Sequence, residues 1–143
     1  MLKFEIQKCL SFKCLSVYVF FMSKVDRFED LDCWKKSREL VNVIFDICEN
    51  QMKYKDFSTQ DQIKRAALST MNNIAEGFGR YSNKEFIRFL EYSATSSMEV
   101  RSMLYILSDR KYIETIDFEK CYQLSIEHTN ITLGLIRYLK TKL

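Results

Sequence analysis

Proline is absent from all 143 residues, and glycine occurs only three times. A chain so poor in turn-forming residues suits long helices with few, short connections, and it argues against a β-sandwich or barrel. Histidine occurs once, and the five cysteines (Cys9, Cys14, Cys33, Cys48, Cys121) are odd in number and form no C-x-x-C pair. With no zinc-type ligand set, no metal and no cofactor are expected, and the thiols are expected to be buried or idle in a reducing cytoplasm. A strong excess of one charge is missing too. The net charge is +3, of which residues 1–21 supply +2 through Lys3, Lys8 and Lys13 against Glu5. A whole-molecule field that would announce a nucleic-acid binder is therefore absent, and any such role must rest on local patches. A long hydrophobic run is the last absence. Lys8 and Lys13 interrupt "MLKFEIQKCLSFKCLSVYVFF", Phe20 and Phe21 stand where a signal peptide needs small residues, and the ~20 apolar residues of a membrane helix are not there. No membrane association is expected. Met22 opens "MSKVDRFEDL", which reads as a cytoplasmic start. The expectation is that Met22 is the natural initiator, that residues 1–21 are an upstream extension, and that 22–143 form one domain in the cytoplasm.

What is present is apolar residues at helical spacing, 47% of the chain and enough for a core. From Leu31 to about Met52 they fall at Leu31, Trp34, Val41, Ile44, Phe45 and Cys48, and Leu40, Val43 and Ile47 widen the arc. A helix apolar over more than half its circumference needs two neighbours, a first hint of oligomerisation. A second helix is expected from Ser58, where Ser58 to Asp61 resembles a capping box, with Ile63, Ala67, Met71, Ile74 and Phe78 on one face. Small residues at Ala66, Ser69 and Ala75 let a partner helix approach closely. A third starts at Ser82, spaced as a capping box to Glu85, with Phe86, Phe89, Ser93, Ser97, Val100, Leu104 and Leu107 in one row. Ile87, Leu90, Ala94, Met98 and Tyr105 form a second row, and the helix is expected to stop near Asp109 to Lys111. A fourth begins near Thr115 to Asp117, either of which can cap, and its rows hold Phe118, Tyr122, Ile136 and Leu139, then Cys121, Leu124, His128, Ile131, Leu135 and Tyr138. Helices of matched length on short connections predict an all-α, antiparallel up-and-down four-helix bundle.

Two of the glycines fall in Glu76-Gly77-Phe78-Gly79-Arg80. A phosphate loop would follow a strand and lead into a helix, usually with Gly-Lys-Ser/Thr; here a helix precedes and no such triplet follows. The expected reading is a corner, with Gly77 stopping the second helix in a left-handed conformation. Glu76 has Asn72, Asn73 and Arg80 at helical spacing, which suits a cap or an ion pair better than acid–base chemistry. His128 sits among apolar neighbours and is expected in the core or an interface. The serines lack a nucleophile-elbow setting and are expected to be packing residues.

Three stretches, "FEDLDCWKKSREL" (28–40), "DQIKRAALSTMNNIAEGFGR" (61–80) and "SNKEFIRFLEYSATSSMEV" (82–100), resemble the proteins encoded in intervening sequences of bacterial 23S rRNA genes, a family also labelled S23 ribosomal protein. The resemblance covers Phe28 to about Leu139. Its most specific part is Asn73-Ile74-Ala75-Glu76-Gly77, preceded by Gln62, Arg65 and Ala66. Met71 departs from the pattern, where relatives often carry proline or glycine, and this implies a less kinked second helix. The resemblance implies a four-helix bundle that assembles as a pentameric ring and has no catalytic activity. A more distant similarity is to the accessory variability determinants of diversity-generating retroelements, which are similar in fold, bind nucleic acid and engage a reverse transcriptase.

The function expected is that of a non-enzymatic homo-oligomer binding RNA or DNA through basic patches. The candidate contacts are Lys35, Lys36 and Arg38 on the first helix, Lys64 and Arg65 on the second, and Arg80, Lys84 and Arg88 around the corner. The alternative is a protein–protein adaptor that scaffolds a partner such as a reverse transcriptase.

Overall fold

The computed structural model describes residues 25–52 and 55–143. The expectations about Met22 and residues 1–21 lie outside the described residues. Among the described residues every regular element is helical. A single 3-10 turn at Phe28–Asp30 leads into α1 (Asp32–Asp46), whose continuation Ile47–Gln51 is a wider π turn. Then follow α2 (Phe57–Phe78), α3 (Asn83–Asp109) and α4 (Thr115–Lys140). Helix α1 packs on α2 and α4, while α3 packs on the same two from the other side.

The helix ends show what local chemistry does. Ser82 caps α3 as its spacing predicts, its Oγ accepting from the Glu85 N–H at 3.2 Å. At α2 the expected start is corrected. Asp56, not Ser58, is the cap: its carboxylate accepts from the Thr59 N–H at 3.1 Å and from the Thr59 hydroxyl at 2.8 Å, and these bonds hold its pKa below the usual carboxylate value. A carboxylate facing the exposed N–H groups of a first turn also meets the positive end of the helix dipole. Asp56→Ala should therefore cost about 1 kcal/mol in a denaturant titration, while Ser58→Ala should change little. At α4 neither Thr115 nor Asp117 caps; Glu114 precedes the helix without a side-chain cap bond.

Gly77 is corrected too. Helix α2 runs through it to Phe78, no glycine has positive φ, and Gly77 is buried. The left-handed residue is instead Lys111, at φ 55°, just past α3. There the Tyr112 N–H donates to the Leu107 carbonyl at 2.8 Å and the Lys111 N–H to that of Ser108 at 2.9 Å, a Schellman closure.

The core is divided in two. One apolar cluster joins Leu40, Ile44, Ile47, Ile63, Ala67, Val100, Leu104, Leu107 and Cys121. The other joins Leu31, Cys33, Ile74, Phe86, Ile87, Leu90, Leu135, Ile136 and Leu139. Between them every helix contributes small or polar side chains: Ser37, Thr70, Ser93, Ser97, Ser125, His128 and Thr132, each fully buried. Burying hydroxyls is tolerable only when they are bonded, and these are. Ser93 donates to the Thr70 carbonyl at 2.6 Å, Ser97 to that of Ser125 at 3.1 Å, and Thr132 to that of His128 at 2.8 Å. The serines that the sequence marks for packing thus form a hydrogen-bonded waist. Met98 and Tyr105, on the second row of α3, are about half exposed, at 50% and 51%.

Candidate nucleic-acid interface

The basic candidates divide by the company they keep. On α1, Lys36 turns inward and bridges Glu39 at 2.8 Å and Glu127 of α4 at 3.0 Å, hydrogen bonds that raise its pKa. It ties α1 to α4 and is poorly placed to leave for a ligand. Lys64 is held similarly, 2.9 Å from Glu49 with its ammonium over the Phe45 ring, and Arg65 meets Asp61 at 3.3 Å. Arg80 pairs with Glu76 at 2.6 Å and lies over the Phe89 ring at 5.0 Å. The family-motif residues are thereby accounted for locally. Asn73 donates to the Ser69 carbonyl at 2.7 Å and to its hydroxyl at 2.9 Å, Ile74 is buried, and Ala75 is half-buried. Glu76 anchors Arg80, and Gly77 lets α3 come close.

The remaining cations are less engaged. Among the described residues Lys84 and Arg88 pair with no carboxylate. Arg88 donates through Nε to the Tyr92 hydroxyl at 2.8 Å and sits over that ring at 5.6 Å, which leaves its terminal nitrogens for another partner. Lys84, Arg88 and Lys140 share a cleft of about 390 Å³ with Glu85, Glu91 and Leu143. Lys140 reaches Glu91 only at 3.5 Å. Tyr81 stands fully exposed at the adjacent corner. On α1, Lys35 approaches Asp32 at 3.8 Å, and Arg38 lies 5.8 Å from the centre of the Trp34 ring. Lys35 and Arg38 line a second cleft with Arg27, Glu29, Trp34, Glu39 and Asn42.

These groups surround one half of the molecule, since Trp34, Phe78, Phe86 and Tyr138 all pack on the same apolar cluster. Cations set beside aromatic rings suit a ligand with both phosphates and bases. The sequence-based list contains Lys35, Arg38, Lys84 and Arg88 but omits Arg27, Asn42 and Lys140, which join these clefts from other turns of the fold. The four-residue spacings Trp34–Arg38 and Arg88–Tyr92 are the signal that could have paired cation with ring.

Chemically reactive groups are placed otherwise. Burial pushes the thiols of Cys33 and Cys121 up to about 12 and that of Cys48 up to about 11, so they are protonated at neutral pH. His128 is fully buried, and desolvation lowers its pKa to about 4. The hydroxyl protons of Ser93 and Thr132 are already committed to carbonyls. Their oxygens, 3.2 and 3.3 Å from Nε2, must therefore accept from an Nε2–H tautomer, which leaves Nδ1 as a bare lone pair. Among the described residues no group of three or more His, Cys, Asp or Glu side chains could hold a metal ion, and no helix is long and apolar enough to cross a membrane.

No curated protein matches the chain. A solved structure from Bacteroides thetaiotaomicron, described as a protein of unknown function from the S23 ribosomal protein family, is similar at 26% identity and a TM-score of 0.64, over 73% of this chain and 97% of that one. The 23S rRNA-intervening sequence protein model matches residues 29–134, well over half of the length. The chain belongs to the 23S rRNA-intervening sequence protein family.

Proposed function

We propose that this protein is a non-enzymatic, cytoplasmic, oligomeric nucleic-acid-binding protein, built as an antiparallel up-and-down four-helix bundle that assembles into a homo-oligomeric ring, with a pentamer as the expected number. The contacts between α2 and α3 support the helix directions: Ser69 meets Ser96, Thr70 meets Ser93, and Gly77 faces Phe89. Contacts between α3 and α4 reverse in the same way, Ser97 with Ser125 and Tyr105 with Phe118. Assembly is supported by apolar side chains left outside the core. Tyr105 and Ile106 of α3 are each about half exposed, and Phe118 and Tyr122 of α4 stack 5.5 Å apart beside Tyr105. That face could equally seat a different protein, the adaptor reading, and an apolar surface of this kind marks contact sites in general.

The observation that carries the binding reading is the set of weakly engaged cations, Lys84 and Arg88 beside Lys140 and Lys35 and Arg38 beside Arg27, interleaved with exposed or half-exposed rings. Repetition around a ring would concentrate this modest charge. Among the described residues Cys33, Cys48, Cys121 and His128 are buried, and the non-enzymatic reading predicts that His128→Gln leaves nucleic-acid binding unchanged. The test is a titration of labelled RNA and DNA at several salt concentrations. Log K should fall linearly with log salt, and Lys84→Ala and Arg88→Ala should each lower the slope by about 0.7 on single strands, or about 0.9 where a duplex is bound. Binding that ignores salt, or no binding at all, defeats the reading. Light scattering on the same samples tests assembly, and a monomer defeats the ring.

A further inference from the structure

We propose that the cleft beside Trp34 holds one nucleotide unit, its base stacked on the Arg38 guanidinium and its phosphate met by Arg27 and Lys35. The inference rests on the nucleic-acid reading above and narrows it to unpaired strands, because a base can stack on a protein group only when it has left its own helix.

The cleft is built by the first turns of α1 and the turn before it. Its volume is about 590 Å³, and it is lined by Arg27, Glu29, Trp34, Lys35, Arg38, Glu39 and Asn42. That size lies within the range of small-ligand sites, roughly 300–1,000 Å³. Trp34 is the aromatic member of the lining. Phe28 meets it edge-on at 5.2 Å and 66°, which fixes the indole, and four residues along the helix Arg38 lies over its ring. A guanidinium is planar and weakly hydrated, and this one, 5.8 Å from the indole centroid, lies within cation–π range of the ring while its exposed side offers a stacking surface with a positive charge. Arg38 is exposed, and among the described residues it has no carboxylate partner.

The charges around it favour an anion. Of the lining carboxylates, Glu29 is engaged by Arg27 at 3.2 Å and Glu39 by Lys36 at 2.8 Å. Lys35 keeps only a distant partner in Asp32, at 3.8 Å. The Arg27 side chain, 68% exposed, can turn from Glu29 to a phosphate at little expense, since exposed ion pairs are weak. Glu29 is then unpaired, and Arg27, Lys35 and Arg38 still outnumber it. Asn42 completes the lining with an amide that can both donate to and accept from the edge of a base. A ligand with only phosphates would use Arg27 and Lys35 and have no need of the ring; a purely aromatic ligand would have no need of the cations. A nucleotide uses both.

Trp34 is the chain's single tryptophan, so its fluorescence reports on this cleft alone. The full chain would be titrated with adenosine monophosphate, a single-stranded oligoadenylate and an RNA duplex, with binding followed independently by anisotropy of labelled strands. Saturable quenching by the single strand, and none by the duplex, is the expected result. Arg38→Ala, a surface change that leaves the core intact, should weaken single-strand binding about tenfold. Arg38→Lys should recover the salt dependence but not the affinity. Quenching by adenosine monophosphate without strand binding would support the cleft with a free nucleotide as its source, and would overturn the nucleic-acid reading. Strand binding that leaves Trp34 emission unchanged, or that survives Arg38→Ala at full strength, would overturn the cleft and leave the broader reading standing. Equal quenching by the duplex, or none by any of the three, would also overturn it.

Discussion

Replacing Gly77 with alanine should destabilise this protein by about 2 kcal/mol, although alanine is the better helix former by nearly 1 kcal/mol. A Cβ at this position would lie 2.5 Å from the Cβ of Phe89 and 2.9 Å from Cδ2 of Phe86. The Phe86 ring edge can rotate away. The Phe89 Cβ cannot, because it is fixed to the α3 backbone, so accommodating the methyl means moving two helices apart along a shared core. Overpacking of that kind typically costs ~1–3 kcal/mol and outweighs the gain in propensity. Gly134 is the internal comparison: it too lies inside a helix, and a Cβ there would meet nothing within 4 Å. Gly134→Ala should accordingly stabilise by roughly 0.5–1 kcal/mol. Paired urea titrations would show the two alanines moving the midpoint in opposite directions. If both raise it, α2 and α3 do not approach each other as closely as this packing requires.

The second large effect is acid sensitivity centred on His128. Its pKa falls from an ordinary 6.5 to about 4 because burial disfavours the imidazolium, and no carboxylate is among the causes. The unfolded chain therefore binds a proton that the folded chain refuses throughout the interval between those values. Stability is complete above about pH 6.5, declines as the pH drops toward 4, and levels off below it. The loss amounts to about 3 kcal/mol at 1.36 kcal/mol per unit. Protonation at Nδ1 would add a donor where no acceptor waits, next to hydroxyls already committed. His128→Gln, which keeps one donor for the Ser93 and Thr132 oxygens, should remove the slope between pH 6.5 and 4 while leaving the carboxylate-driven loss at lower pH. Denaturant titrations across that range decide the matter, and an unchanged slope in the variant would place the proton elsewhere.

Much of this architecture is legible in the sequence, and the exceptions share a cause. The Ser82 cap, the end of α3 near Asp109, the buried His128 and the small-sided centre of α3 all follow from local spacing, because a cap or a helical row depends on residues within one or two turns. The cap at α2 moved from Ser58 to Asp56 since both have a suitable oxygen, and a carboxylate is the stronger acceptor for that first turn. Met98 and Tyr105 share their row with Ile87, Leu90 and Ala94, yet only the latter three are buried. Periodicity states which side chains share a face, not how far along that face a neighbour extends. The basic candidates show the same limit. Lys36 and Lys84 are both lysines on helices, but Lys36 finds Glu127 across the core boundary and Lys84 finds no carboxylate among the described residues.

The sequence by itself determined the four long helices of the described residues, the corner between α2 and α3, and the family, because each of these depends on spacing and identity along the strand. Only the tertiary structure decided that Gly77 is a contact point and not a stop, that the buried hydroxyls of Ser93 and Thr132 meet the His128 ring, and that Trp34 and Arg38 face a cleft with Arg27. Those outcomes depend on the separation and rotation of helices far apart in the chain, which are set by how side-chain volumes interlock across the core.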